Sequence, residues 1–267
     1  MASRRTPRRG WLPPVALLAV LVVAGEGLVR LLDVPDYLLP APSEVLAALV
    51  RDASVLAGHA LATTATALLG LGLGAVVGVL LAVLMTASER ARAALYPLVV
   101  VSQSVPMVVL APLFVLWFGF GLLPRVLVVA LVAFFPVAIA TVSGLASADR
   151  DQLDLVRAMG GGQAAVARHV LAPGALPSLF TGLTVAASYA MFAAVVGEWI
   201  GASEGLGLYL ERSRASFATE QMFAAVVVVA AVSVVFVGAV LLAQRLLLPW
   251  RTAEQAQASA RRVEESW

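Results

Sequence analysis

The sequence predicts an all-α polytopic membrane protein with six transmembrane helices and one long polar loop between the fourth and fifth. Composition is the first observation behind that fold class. Of 267 residues, 61% are hydrophobic and 13% charged, whereas soluble domains run at roughly half apolar and about a quarter charged. Run length is the second. Uncharged stretches cover Ala60–Ser88, Ala93–Pro124, Val126–Ala148, Val170–Gly197 and Gln221–Gln244, and about 20 apolar residues suffice to cross the hydrocarbon core. The third is the placement of the 18 basic residues, every one of them an arginine.

Taken in order, the chain opens on a basic stretch, residues 1–10, expected in the cytoplasm. A first span over Trp11–Leu31 carries Glu26 and Arg30 at i, i+4, where they can pair. A cleaved signal peptide, with Val22 and Ala24 at its cleavage site, is the alternative for this end. Leu39-Pro40-Ala41-Pro42-Ser43-Glu44 then reads as an extended entry to a helix. Val45, Leu46, Leu49, Val50, Ala53 and Leu56 recur at helical spacing and give it one apolar face, for the outer membrane surface or, alternatively, for a docking partner.

The second span, Leu61–Met85, carries Gly70, Gly74 and Gly78 on one helical face. Missing side chains there let another backbone approach, either within the chain or in a second subunit. The third, Tyr96–Phe118, contains Gln103, Ser104, Pro106 and Pro112. Prolines bend a helix and free carbonyls that protein or water must satisfy, so this span suits a pathway lining; a kinked helix whose Gln103 bonds a neighbouring helix fits equally. The fourth, Val126–Leu145, has a bulky kink at Phe134-Phe135-Pro136. The fifth, Leu176–Ile200, offers Tyr189 and Phe192 as further pathway candidates and Glu198 as an intramembrane acid, pathway group or solvated end alike. The sixth is Met222–Leu246, and the tail 249–267 returns to the cytoplasm.

With the N terminus inside, Arg4, Arg5, Arg8, Arg9, Arg90, Arg92, Arg150, Arg157, Arg168, Arg245, Arg251, Arg261 and Arg262 fall on the cytoplasmic side, and Arg30, Arg51, Arg125, Arg212 and Arg214 opposite. Thirteen against five satisfies the positive-inside rule with both termini cytoplasmic. Cysteine is absent, so disulfides and thiolate metal sites are excluded. With no lysine, a Walker A loop is excluded too, so any ATP and Mg must be used by another chain. A formal charge of +2 gives no reason to expect nucleic acid.

The polar island runs from Ala148 to Pro177. Ser147 or Asp149 can cap a helix there, Asp149, Asp151 and Asp154 suit its first turns, and Gly160–Gly162 can end it in a left-handed turn. Leu153, Leu155, Val156 and Met159 give it an apolar side. A second short helix, about Gln163–Leu171, is expected to stop at Pro173. This physics suits a membrane-surface helix and a partner-docking helix equally.

The island's spacing resembles the EAA loop of ATP-binding-cassette importer permeases: Asp154-Leu155-Val156 stands at the acidic triplet, Gly160 at the glycine and Val170-Leu171-Ala172-Pro173 at the close. The triplet is only chemically similar, and Ala172 replaces the usual leucine. Leu39–Leu46, Gln103-Ser104-Val105-Pro106 and Gly197–Gly207 are similar to segments of the nitrate, sulfonate and taurine group. Ala111–Pro124 looks most like permeases for pyrimidine precursors of thiamine. The resemblance implies a permease domain over 11–248 that binds no cofactor itself, with a coupling loop at 146–175. It implies a homodimer, fed by an extracytoplasmic solute-binding protein and driven by ATPase subunits that dock the loop. In that role Gly160 supplies the bend, Asp154 and Arg157 polar contacts, and Leu155 and Met159 apolar ones. A secondary transporter would need more buried titratable groups than Glu26 and Glu198, and an intramembrane enzyme a nucleophile with a base; neither set is visible.

Overall fold

The computed structural model describes residues 12–249; the basic stretch 1–10, Trp11 and tail residues 250–267 lie outside the described residues. Among those described, every regular element is helical: α1 (Leu12–Leu31), α2 (Pro42–Arg51), α3 (Ala53–Ala87), α4 (Glu89–Ser102), α5 (Met107–Phe118), α6 (Leu122–Ala146), α7 (Arg150–Ala158), α8 (Gln163–Val166), α9 (Ala172–Glu198), α10 (Leu206–Ala215) and α11 (Thr219–Leu247). A π-helical turn, Ala167–Leu171, joins α8 to α9. Among the described residues, five helical stretches are long and apolar enough to cross a membrane, and α4 with α5 makes a sixth if the pair is one broken span.

The chain divides into two compact units. One joins residues 12–58 with Tyr209–Val228. Here Glu26, in α1, accepts hydrogen bonds from Arg30 Nε at 2.6 Å and from the Ser43 backbone N–H and hydroxyl at 2.9 and 2.8 Å. The ion pair legible in the sequence therefore also fixes the entry to α2. Ala41 N–H donates to the Glu44 carboxylate at 2.9 Å, one half of a capping box. Asp52 breaks the expected surface helix, so Ala53 and Leu56 belong to α3 instead; its carboxylate accepts from Tyr209 Oη at 2.9 Å. Burial and this bond push the Tyr209 phenol up to about 12.

The second unit comprises His59–Leu208 and residues 229–249. Its core contains Ala67, Val128, Val129, Ala133, Ala186, Ala187, Ala190, Met191 and Phe236. Close backbone approach builds it. A Cβ on Gly70 would overlap the Val129 side chain, one on Gly74 would lie 2.7 Å from the Ala130 carbonyl oxygen, and one on Gly78 2.7 Å from that of Phe134. The small-residue face of α3 is thus seated on α6 of the same chain. On its other side α6 meets α9 through Gly144 and Gly182, where added Cβ atoms would lie 2.7 Å from Ser178 Cβ and the Pro136 carbonyl oxygen.

Two expectations are corrected. The third span is not one kinked helix: α4 and α5 are bent by 102° at Gln103–Pro106. Pro106 supplies no N–H and disfavours helical geometry at Val105, whereas Pro97 and Pro112 remain inside their helices. Nor does Pro173 stop a helix. It sits in the first turn of α9, and α8, the π turn and α9 form one 36-residue helical stretch, Gln163–Glu198. The wider turn just before it accommodates the missing donor. Pro136 likewise lies inside a continuous α6.

The packing predicts a contrast along α3. Gly74→Leu should destabilise the protein by about 1–3 kcal/mol or more, since backbone atoms block the space. Gly72→Leu, where a Cβ meets nothing within 4 Å, should be tolerated. Thermal unfolding of both variants in detergent checks this; equal loss would remove the seam from the account.

Candidate functional site

Three groups of residues carry candidate function, and the polar island forms the first. Asp149 Oδ1 accepts from Asp151 N–H at 2.9 Å and caps α7, with Asp151 in the first turn and Arg157 in the last. At the other end Gly161 N–H donates to Val156 O and Gly160 N–H to Arg157 O, both at 2.9 Å. That pair of bonds is a Schellman motif, and it needs Gly160 at φ +83. The helix's apolar residues separate. Leu153 and Val156 are half-buried, whereas Leu155 and Met159 are 61% and 79% exposed. Asp154 and Arg157 pair at 3.1 Å on the exposed side, and such surface pairs contribute little stability. Beside α7 opens a cavity of about 760 Å³ lined by Val83, Thr86, Leu145, Arg157, Gln163 and Val166. Pro173, assigned to this loop by its spacing, is exposed in the first turn of α9.

The second group surrounds Glu198, the last residue of α9, which is wholly buried. Three successive backbone N–H groups at the start of α10 each reach a side chain from another helix. Gly205 N–H donates to His59 Nδ1 at 3.0 Å, Leu206 N–H to Thr63 Oγ1 at 2.8 Å and Gly207 N–H to Glu198 Oε2 at 2.8 Å. The first donors of a helix have no partner within it, and here α3 and α9 supply the acceptors. Thr63 Oγ1 also lies 3.0 Å from Glu198 Oε2. Glu198 Oε1 is buried without a hydrogen-bond partner, in the field of the Arg125 guanidinium, which donates to Gly121 O at 2.9 Å and Glu204 O at 3.3 Å. Gly205 has φ +121, and a Cβ there would overlap the Glu198 carboxyl group.

The third group is exposed. Gln103, Ser104 and Pro106 form the non-helical break between α4 and α5, and Tyr189 and Phe192 stand on one side of α9. Glu198 does not share that exposure, so of the residues considered for a pathway it is the one enclosed in the protein.

Residues 70–252 match the model of the binding-protein-dependent transport system inner membrane component. The chain belongs to that family. The permease is 37% identical to the formylaminopyrimidine transport permease protein ThiX of Halalkalibacterium halodurans, over 90% of this chain and 96% of the relative. It is 28% identical to the taurine transport system permease protein TauC of Escherichia coli, over 88% of each. A solved inward-facing form of the MetNI methionine ABC transporter shares its fold, with a TM-score of 0.59 at 22% identity, covering 74% of the permease and 95% of that chain. The permease is accordingly a multi-pass membrane subunit of an ABC importer.

The sequence suggested no metal-ligand role for His59, and neither the roles of His59 and Thr63 here nor α10 itself was read from it. One signal was present: the two residues stand at i, i+4, and Gly205-Leu206-Gly207 marks a backbone that something approaches closely.

The clasp predicts that Glu198→Ala lowers stability by about 1–3 kcal/mol, because Gly207 N–H loses its acceptor while buried. Glu198→Gln keeps a carbonyl oxygen there and should retain most of the stability and near-normal uptake. Thermal unfolding alongside uptake separates the roles: a stable Glu198→Gln variant without uptake would make Glu198 a transport group.

Proposed function

We propose that the permease works as a homodimer in a bacterial inner membrane, both termini cytoplasmic. It receives solute from an extracytoplasmic binding protein and releases it inward by alternating access. Cytoplasmic ATPase subunits dock the loop 146–175 and supply the energy; ATP and Mg are used there, not on this chain. The observation that carries this reading is α7. It is capped at both ends by bonds of its own, yet turns Leu155 and Met159 outward beside Asp154 and Arg157. Exposed apolar side chains on a short, ordered polar helix suit a partner's cleft.

The proposed cargo is a pyrimidine precursor of thiamine. The relative named for formylaminopyrimidine supports it, as do the residues 111–124. The second reading is a sulfonate or taurine importer, which the taurine relative favours.

Gly160→Val and Asp154→Arg should leave the protein inserted but cut ATP-driven uptake by about tenfold or more. The first places a β-branched residue at a left-handed position, costing about 1–2 kcal/mol, and the second reverses a contact charge. Capture of the ATPase at unmodified strength, with normal uptake, would count against docking through α7.

The substrate assignment predicts growth of a precursor-dependent strain when the complete transporter is supplied with external hydroxymethylpyrimidine. Failure there, with rescue of sulfonate-limited growth, would transfer the assignment to the second reading.

A further inference from the structure

Most of α9 is enclosed, with Ala186, Ala187, Ala190, Met191, Ala193 and Ala194 at 0% exposure. Thr181, Val185, Ser188, Tyr189 and Phe192 emerge from it, at helical spacing that places them on one face. Three of these five carry hydroxyl groups. Thr181 and Ser188 donate theirs to the carbonyls of Pro177 and Thr184, one turn back, at 3.0 and 2.9 Å. The Tyr189 hydroxyl has no such partner among the described residues, and its side chain is 56% exposed.

Depth gives that hydroxyl its meaning. Tyr189 lies nine residues before Glu198, the end of α9, or roughly 14 Å along the axis, inside a helical stretch long and apolar enough to cross the membrane. Lipid-facing tyrosines belong at the headgroup level. A phenol left without a partner in hydrocarbon costs roughly 2–7 kcal/mol. This face of α9 therefore meets water, solute or protein. The break between α4 and α5 has a need of its own. Gln103–Pro106 is exposed, non-helical backbone between two apolar helices, and such backbone is tolerated at membrane depth only against protein or a water-filled cavity.

The chemistry of the face then selects its ligand. Between Arg168 and Glu198 the helical stretch carries no charged side chain, and Glu198 is occupied in the clasp. A sulfonate would find no cation along α9, whereas a flat, uncharged ring would find two aromatic faces and a free hydroxyl. We propose that Tyr189 and Phe192 form the solute-recognising face of the permease, the Tyr189 hydroxyl hydrogen-bonding and the Phe192 ring stacking on a planar heteroaromatic solute. This rests on the importer reading and names the residues that would recognise its cargo.

The absence of native cysteine makes the test direct. In the complete transporter in proteoliposomes, Tyr189→Cys and Phe192→Cys should react with a small charged methanethiosulfonate, whereas Val20→Cys, in the middle of α1, should not. Hydroxymethylpyrimidine should slow that reaction about fivefold or more. Tyr189→Phe should raise the KM for uptake about tenfold, the factor for roughly 1.4 kcal/mol. No labelling at either α9 position would show a face covered by lipid or a second copy and overturn the proposal. Labelling that hydroxymethylpyrimidine does not slow, or an unmodified KM in Tyr189→Phe, would overturn it too. Failure of the importer reading would show separately, as absence of ATP-driven uptake by the unmodified complex.

Discussion

Everything in the larger unit depends on three helix backbones lying against each other without side chains between them. Apolar side chains gain little from leaving lipid for protein, so membrane helices associate through van der Waals contact and hydrogen bonds, both of which require close approach. Gly70, Gly74 and Gly78 on α3, and Gly144 and Gly182 between α6 and α9, provide that approach. α6 is consequently held on two sides, and the enclosed alanines of α9 fill the layer beside it.

That packing places both ends of α9. The helical stretch from Gln163 to Glu198 begins just beyond the Schellman turn that closes α7 and ends at the carboxylate that holds α10. On the proposed reading, one element therefore links the ATPase-docking loop to the opposite side of the membrane and carries the solute-recognising face between them. A displacement at the start of that stretch would be carried along it by backbone hydrogen bonds, which is the kind of physical path that coupling needs. The π turn at Ala167–Leu171 is the one departure from α-helical geometry in the stretch. It stands next to Pro173, where a regular helix would lose a bond.

Much of the loop was legible because local chemistry decides it. Asp149 caps, acids occupy the first turn, and Gly160 takes the left-handed position that other residues resist. The Glu26–Arg30 pair was legible for the same reason, since four residues on a helix suffice to bring the groups together. The third span was misjudged because proline has no single outcome. Pro97 and Pro112 are absorbed into helices, while Pro106, following the polar Gln103 and Ser104, separates two. At Pro173 the error ran the other way, because a π turn absorbs what a local rule treats as a stop.

By itself the sequence determined the helical class, the apolar stretches long enough to cross a bilayer and the capped loop, because hydrophobic run length and capping act over a few residues. Only the tertiary structure decided that the glycine face of α3 meets α6 rather than another chain, and that Glu198 is enclosed while Tyr189 is not. It alone placed His59 and Thr63 at the start of α10, more than 140 positions away in sequence. Those outcomes depend on which helix comes to lie beside which, and no local spacing encodes that.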